Sequence, residues 1–167
     1  MTMTHYMELL ATAQPWHLII FMAIPVILAE TIAVSELYIL FTRKLHGGIA
    51  ALNKYASILV GIYFAGVFVY LFFTAVIPLT TTGGWRGPAD IIAVLFYLLG
   101  VVPLGGMALL ELGLIGRTRT QERRVMLHAT FVALFLVVAH IAMIFGMLNP
   151  EVLGWSPTGA PMPTMDM

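Results

Sequence analysis

The sequence predicts an all-α integral membrane protein: an up-down bundle of four transmembrane helices with both termini on the outer, periplasmic side. Three observations support this prediction. First, the 167 residues are 60% hydrophobic and 10% charged, which leaves too few polar side chains to cover a soluble globule. Second, the mean hydropathy is +0.98. Third, four apolar runs each reach the roughly 20 residues that a helix needs to cross a bilayer.

The spans are placed at residues 16–42, 53–79, 90–115 and 125–148, within one domain of residues 1–150. Paired glycines, Gly47 and Gly48, break the chain after the first span. Residues 80–88, rich in Thr, Gly and Pro, separate the second span from the third. Residues 116–124 hold the densest charge and separate the last two spans. A Pro- and Met-rich outer tail, 151–167, follows the bundle.

The orientation follows from the distribution of basic residues. Segments 43–54 and 116–124 contain seven of the eight Lys and Arg residues, and cytoplasmic loops carry such an excess. Trp16, Trp85 and Trp155 mark the opposite ends of the spans, as an interfacial aromatic belt would. We therefore expect a multi-pass protein of the bacterial inner membrane with these two loops in the cytoplasm.

Composition also excludes several classes of function and of binding site. The formal net charge is zero, so no basic field attracts nucleic acid. The chain has no cysteine, which excludes disulfides, thiolate metal sites and a cysteine nucleophile. No nucleophile with a positioned base and no phosphate-binding or metalloprotease motif is found, so enzyme catalysis is the least favoured interpretation.

Five ionisable residues lie inside the spans, where a charge costs at least ~2.5–3.5 kcal/mol. A rise of about 1.5 Å per residue puts three of them about 6–10 Å from the cytoplasmic ends and two about 20–24 Å from them. The inner layer is Glu36, Glu111 and His128, and the outer layer is Glu30 and His140. Such a layer can bind a metal cation, share a proton, or neutralise itself through hydrogen bonds.

Methionine and histidine are frequent toward the outer side, and thioethers are soft ligands suited to Cu(I). His140, Met143 and Met147 follow one another at helical spacing on the fourth span. The other residues that could join them as outer ligands are Met3, His5, Met7, His17 and Met22. Methionine is also an ordinary packing residue in helical bundles.

These patterns favour a small metal-handling protein that binds or passes a transition-metal cation, copper first and zinc or iron next, through Glu and His sites fed by outer Met and His. Two alternatives stay open. One is a redox or accessory subunit that binds haem or quinone, because histidines can ligate iron. The other is a proton-coupled small permease, or a structural subunit of a homo-oligomer or larger membrane complex, in which the carboxylates relay protons or dock a partner.

Overall fold

A computed structural model of the chain describes residues 3–116 and 120–156. Within these ranges the chain forms five helices and a final 3₁₀ turn at Pro150–Leu153. The helices are α1 (His5–Ala11), α2 (Trp16–Thr42), α3 (Gly48–Thr82), α4 (Gly87–Glu111) and α5 (Gln121–Met147). By length and composition, α2 to α5 are each able to cross a membrane. The prediction of an all-helical protein with four span-length helices is confirmed.

The surface of these four helices is apolar. Large hydrophobic side chains point away from the bundle on every one of them, among them Phe41, Ile62, Val102 and Val137. A water-soluble monomer rarely exposes a continuous apolar surface of this kind. Lipid is the solvent that such a surface fits.

Each long helix packs against the next one along the chain, and α5 also contacts α2. The central core joins Ile32, Phe64, Leu104 and Phe135, one from each of the four helices. Gly61 brings α3 close to α4, since a Cβ atom at this position would collide with Ala108 and the Leu104 carbonyl. Small residues permit this kind of close approach between membrane helices.

Both ends of α3, α4 and α5 differ from the predicted bounds, and for two of these ends the backbone geometry gives the reason. Gly47 adopts a φ of 124° and makes the break alone, so α3 begins at Gly48 rather than at residue 53. The third span ends at Glu111 rather than at 115, because Gly113 and Gly116 take left-handed φ angles of 74° and 70°. Such conformations stop a helix and favour glycine.

The short helix α1 is absent from the sequence-based prediction. Thr4 caps it, with its hydroxyl accepting the Met7 N–H at 3.3 Å. Tyr6 and Leu10, one helical turn apart, are both buried in a second core cluster with Phe21 of α2 and Leu98 of α4. The segment before the first span therefore packs onto the bundle as an amphipathic helix.

Each of α2 and α3 contains one π-helical turn just before a proline, Ile19–Ala23 before Pro25 and Phe72–Val76 before Pro78. A proline has no N–H to donate to the carbonyl groups of the preceding turn. In α2, tyrosine hydroxyls donate to two of those carbonyls: Tyr63 to Ile20 at 2.8 Å and Tyr97 to Phe21 at 2.6 Å. Side chains of α3 and α4 thus donate hydrogen bonds to carbonyl groups of the turn in which Pro25 has no N–H to offer.

Candidate functional site

Glu36 and His128 of the expected inner layer are in direct contact. Glu36 lies near the end of α2 and His128 near the start of α5, and Oε2 of the carboxylate lies 2.8 Å from Nδ1 of the ring. The side chains are 7% and 3% exposed, respectively. Nδ1 makes no aligned hydrogen bond to any of the described residues, so this is a close contact between an acid and a base, which is an ion pair when the ring is protonated.

Two polar residues of α3 complete this cluster. Asn53 donates its side-chain amide to Glu36 Oε2 at 3.2 Å and to the Ser35 hydroxyl at 2.9 Å. The Ser57 hydroxyl lies 2.9 Å from Nε2 of His128 and donates to the Asn53 carbonyl at 2.8 Å. Asn53 and Ser57 are one turn apart, so both face the ion pair.

Ser57, His128 and Glu36 stand in the order of a hydrolase triad, yet their chemistry differs. A catalytic serine needs its hydroxyl proton directed at the histidine and its oxygen open to substrate. Here the serine side chain is fully buried, so its oxygen is closed to substrate. The arrangement does not support acyl transfer.

A polar cavity of about 230 Å³ reaches this cluster. We call it the Glu36–His128 cavity. Its lining includes Glu36 and His128 together with Glu111 of α4 and three basic side chains, namely His46, Lys54 and Arg124. All three members of the expected inner layer therefore line one cavity. Nε2 of His128 is paired with the Ser57 hydroxyl and Nδ1 contacts Glu36, so a metal bound by this ring would have to displace one of these contacts.

Glu30 and His140, the expected outer layer, also share a cavity. This Glu30–His140 cavity has a volume of about 270 Å³ and lies mainly between α2 and α5. Its lining is mostly apolar and aromatic, and it includes Met22 and Met143. Tyr6 of α1 also lines it, and burial raises the pKa of the Tyr6 hydroxyl, which keeps that group neutral.

The tautomer of His140 follows from one hydrogen bond. Nδ1 lies 2.6 Å from the Leu136 carbonyl, and a carbonyl oxygen can only accept, so Nδ1 carries the proton. In the neutral ring Nε2 then holds a lone pair. Histidines that ligate metals are typically oriented by this kind of bond from their other nitrogen.

The remaining outer residues lie elsewhere. His17 lines a different cavity together with His5, and its Nδ1 donates to the Leu9 carbonyl at 3.0 Å. Met3 and Met147 are exposed, whereas Met7 packs against the second core cluster. Met1 and the tail methionines beyond residue 156, with Arg117 and Arg119, are outside the described residues.

His5 has a partner that is not a methionine. Both its backbone N–H and its ring Nδ1 lie 2.6 Å from carboxylate oxygens of Asp90 at the start of α4. Arg86 pairs with Glu8 at 2.7 Å beside it. These contacts hold α1 against α4.

Within residues 3–116 and 120–156, no group of three or more His, Asp or Glu side chains is arranged to hold a metal ion. A metal in the Glu30–His140 cavity would therefore need the two thioethers as ligands. The model of a protein family described as a family of unknown function, DUF6803, matches residues 1–162. The chain belongs to DUF6803. No curated protein and no solved structure matches it.

All residues of both cavities lie inside the part that matches DUF6803. In this DUF6803 protein, three polar residues that complete buried clusters were missed by sequence reasoning: Asn53, Ser57 and Asp90. Asn53 and Ser57 carried a usable signal, because two polar residues one turn apart in an apolar span mark one face. The buried role of Asp90 could not be recognised, since its partner helix α1 was not predicted.

Proposed function

We propose that this protein is a multi-pass protein of the bacterial inner membrane that binds a soft monovalent transition-metal cation, copper(I) first, in the Glu30–His140 cavity. In this proposal the helices run up and down, both termini are periplasmic, and the α2–α3 and α4–α5 loops are cytoplasmic. The distribution of basic residues supports this orientation: Arg86 is the one Lys or Arg in the sequence placed toward the opposite side.

The observation that carries the proposal is the His140 tautomer. Its Nδ1–H is held by the Leu136 carbonyl at 2.6 Å, and the ring lines the same cavity as the thioethers of Met22 and Met143. One imidazole lone pair and two thioethers form a set that favours Cu(I) over harder cations. Zinc, by contrast, is usually held by thiolate, imidazole and carboxylate ligands.

Charge supports a monovalent ion. Glu30 is the acidic residue in the lining of this cavity, and a carboxylate and Cu(I) together carry no net charge. An uncompensated charge in a low-dielectric site is strongly disfavoured. A divalent ion would leave one positive charge unbalanced there.

The size of the cavity favours a metal ion over bulky cofactors as its ligand. At about 270 Å³ it is below the range of roughly 300–1,000 Å³ in which drug-sized ligands bind. Haem and a whole quinone exceed this space, although the aromatic lining, with Phe21, Phe96 and Tyr97, suits a quinone ring. The quinone-associated role is therefore the second candidate, and an optical spectrum together with lipid extraction of the purified protein tests it.

The test of the copper site is a competition titration of the full chain in detergent against a Cu(I)-specific chelator without oxygen. We expect one equivalent of Cu(I), with silver(I) as a redox-inert substitute. The double variant Met22→Leu/Met143→Leu keeps the side-chain volume, and we expect it to weaken binding at least tenfold. Met126→Leu, an exposed methionine of the same helix α5, is the matched control. Absence of stoichiometric Cu(I), or equal affinity in all three proteins, would refute the proposal.

A further inference from the structure

The Glu36–His128 pair lies apart from the proposed copper ligands and has a chemistry of its own. An isolated carboxylate or imidazolium at this depth would lose several kcal/mol of solvation. The 2.8 Å contact lets the two groups compensate each other. The hydrogen-bond partners of His128 and Glu36 define the surroundings of each group.

The Ser57 hydroxyl links His128 to the backbone of α3. Its oxygen lies 2.9 Å from Nε2 of His128 and 2.8 Å from the Asn53 carbonyl oxygen. A hydroxyl can donate one hydrogen bond and accept others, so it can pair with this nitrogen in either protonation state of the ring.

The contact between Nδ1 and Oε2 lets either group hold a proton. Nδ1 of His128 lies 2.8 Å from Oε2 of Glu36, and a proton bound by one group is stabilised by the other. The Asn53 amide donates to the same Oε2 at 3.2 Å, so this oxygen acts as an acceptor.

The second carboxylate oxygen of Glu36, Oε1, is free to take a proton. Oε1 of Glu36 is buried and has no hydrogen-bond partner among the described residues. The Glu36–His128 cavity connects the pair with His46 and Lys54, which are exposed at the α2–α3 end of the bundle. A polar cavity of about 230 Å³ has room for several water molecules.

We propose that Glu36 and His128 form a proton-binding site that exchanges its proton with the aqueous phase at the α2–α3 end through this cavity. The other charged or titratable groups that face it are His46, Lys54, Glu111 and Arg124.

This inference goes beyond copper binding and uses none of the proposed copper ligands. Its test is a pH-difference infrared spectrum of the full chain in lipid nanodiscs, which records the carbonyl-stretch band of protonated carboxyl groups. We expect a band that grows on acidification and is lost in Glu36→Gln. Glu30→Gln, a change in the other cavity, is the matched control and should keep the band.

A second variant makes the test independent of the folding of the first. His128→Asn removes the ionisable partner beside Glu36, so the pH at which the band appears should change. Glu36→Asp retains a carboxyl group and should move the band in frequency. A pH-dependent band that is unchanged in Glu36→Gln, or a midpoint that does not move in His128→Asn, would overturn the proposal. Copper(I) affinity measured on Glu36→Gln should equal that of the wild type, which separates failure of this site from failure of the copper site.

Discussion

The carboxylate of Asp90 is fully buried and lies 2.6 Å from both the backbone nitrogen and the ring Nδ1 of His5, 85 residues away in sequence. Its Oδ2 also accepts the backbone N–H of Arg86 at 3.2 Å. One side chain thus joins the start of α4 to the start of α1. This contact explains how the amino-terminal segment is held on the bundle.

We predict that Asp90→Asn loosens α1. The amide nitrogen cannot accept the hydrogen bonds that Oδ2 accepts, and losing a bond to a buried charged group costs about 1–3 kcal/mol. Hydrogen–deuterium exchange should show faster exchange across residues 5–11. Glu8→Gln is the control, because the exposed ion pair of Glu8 with Arg86 is worth ~0–1 kcal/mol. Equal exchange in the wild type and Asp90→Asn would contradict the prediction.

Tyr97→Phe should destabilise the bundle. The Tyr97 hydroxyl donates to the Phe21 carbonyl at 2.6 Å, and Pro25 cannot supply the replacement. Leaving a buried carbonyl unpaired costs about 1–3 kcal/mol, which a thermal unfolding curve in detergent should detect. Tyr55→Phe, at an exposed position of α3, should leave the midpoint unchanged. A Tyr97→Phe midpoint equal to that of the control would show that the carbonyl finds another donor.

Gly61→Ala and Gly66→Ala form a matched pair on α3. A Cβ at Gly61 collides with α4, whereas a Cβ at Gly66 meets nothing within 4 Å. Overpacking of this kind costs typically about 1–3 kcal/mol, so only Gly61→Ala should lower the unfolding temperature. If both variants have the same unfolding temperature, α3 and α4 are not packed as closely as described.

Ser57→Ala should also lower stability, because it leaves Nε2 of the buried His128 without its hydrogen-bond partner. The expected loss is about 1–3 kcal/mol. Thr130→Val, which removes an exposed hydroxyl bonded to the Met126 carbonyl on α5, is the control. The same thermal unfolding assay separates the two, and an unchanged midpoint in Ser57→Ala would argue against the assigned hydrogen bond.

The absence of cysteine makes the orientation directly testable. Gln14→Cys, before α2, and Gln121→Cys, at the start of α5, are both exposed positions. We expect a membrane-impermeant thiol reagent to label the cysteine at 14 in intact spheroplasts. The cysteine at 121 should react only after the membrane is permeabilised. The opposite pattern would invert the orientation proposed from the basic residues.

The sequence could predict how deep each site residue lies along its helix, but not the direction in which the helix turns that residue. The fixed rise of an α-helix gives the depth of a residue along its span, and depth alone grouped Glu36 with His128, and Glu30 with His140. The rotation of each helix about its axis depends on packing. Single-sequence patterns therefore could not show that Glu36 contacts His128, or that Met22 and Met143 share a cavity with His140 while Met147 does not.

The sequence did not predict α1 or the buried role of Asp90, and both have the same cause. α1 is a two-turn helix that is ordered by tertiary contacts through Tyr6, Leu10 and His5, and short helices have little stability of their own. Its sequence therefore gave a weak signal. The buried role of Asp90 depends on α1 and was hidden with it.

The π-helical turn at Ile19–Ala23 also sets the rotation between the two parts of α2 on either side of it. A π turn holds one residue more than the regular ladder, and one residue corresponds to about 100° of rotation about the helix axis. The part of α2 that carries Trp16 and His17 is therefore turned relative to the part that carries Ala29 and Glu30. A regular α ladder of the same length would turn those two parts by about 100° relative to each other, whereas deleting one residue from Ile19–Ala23 would keep their relative direction. The turn therefore acts as a register offset between the membrane interface and the cavity.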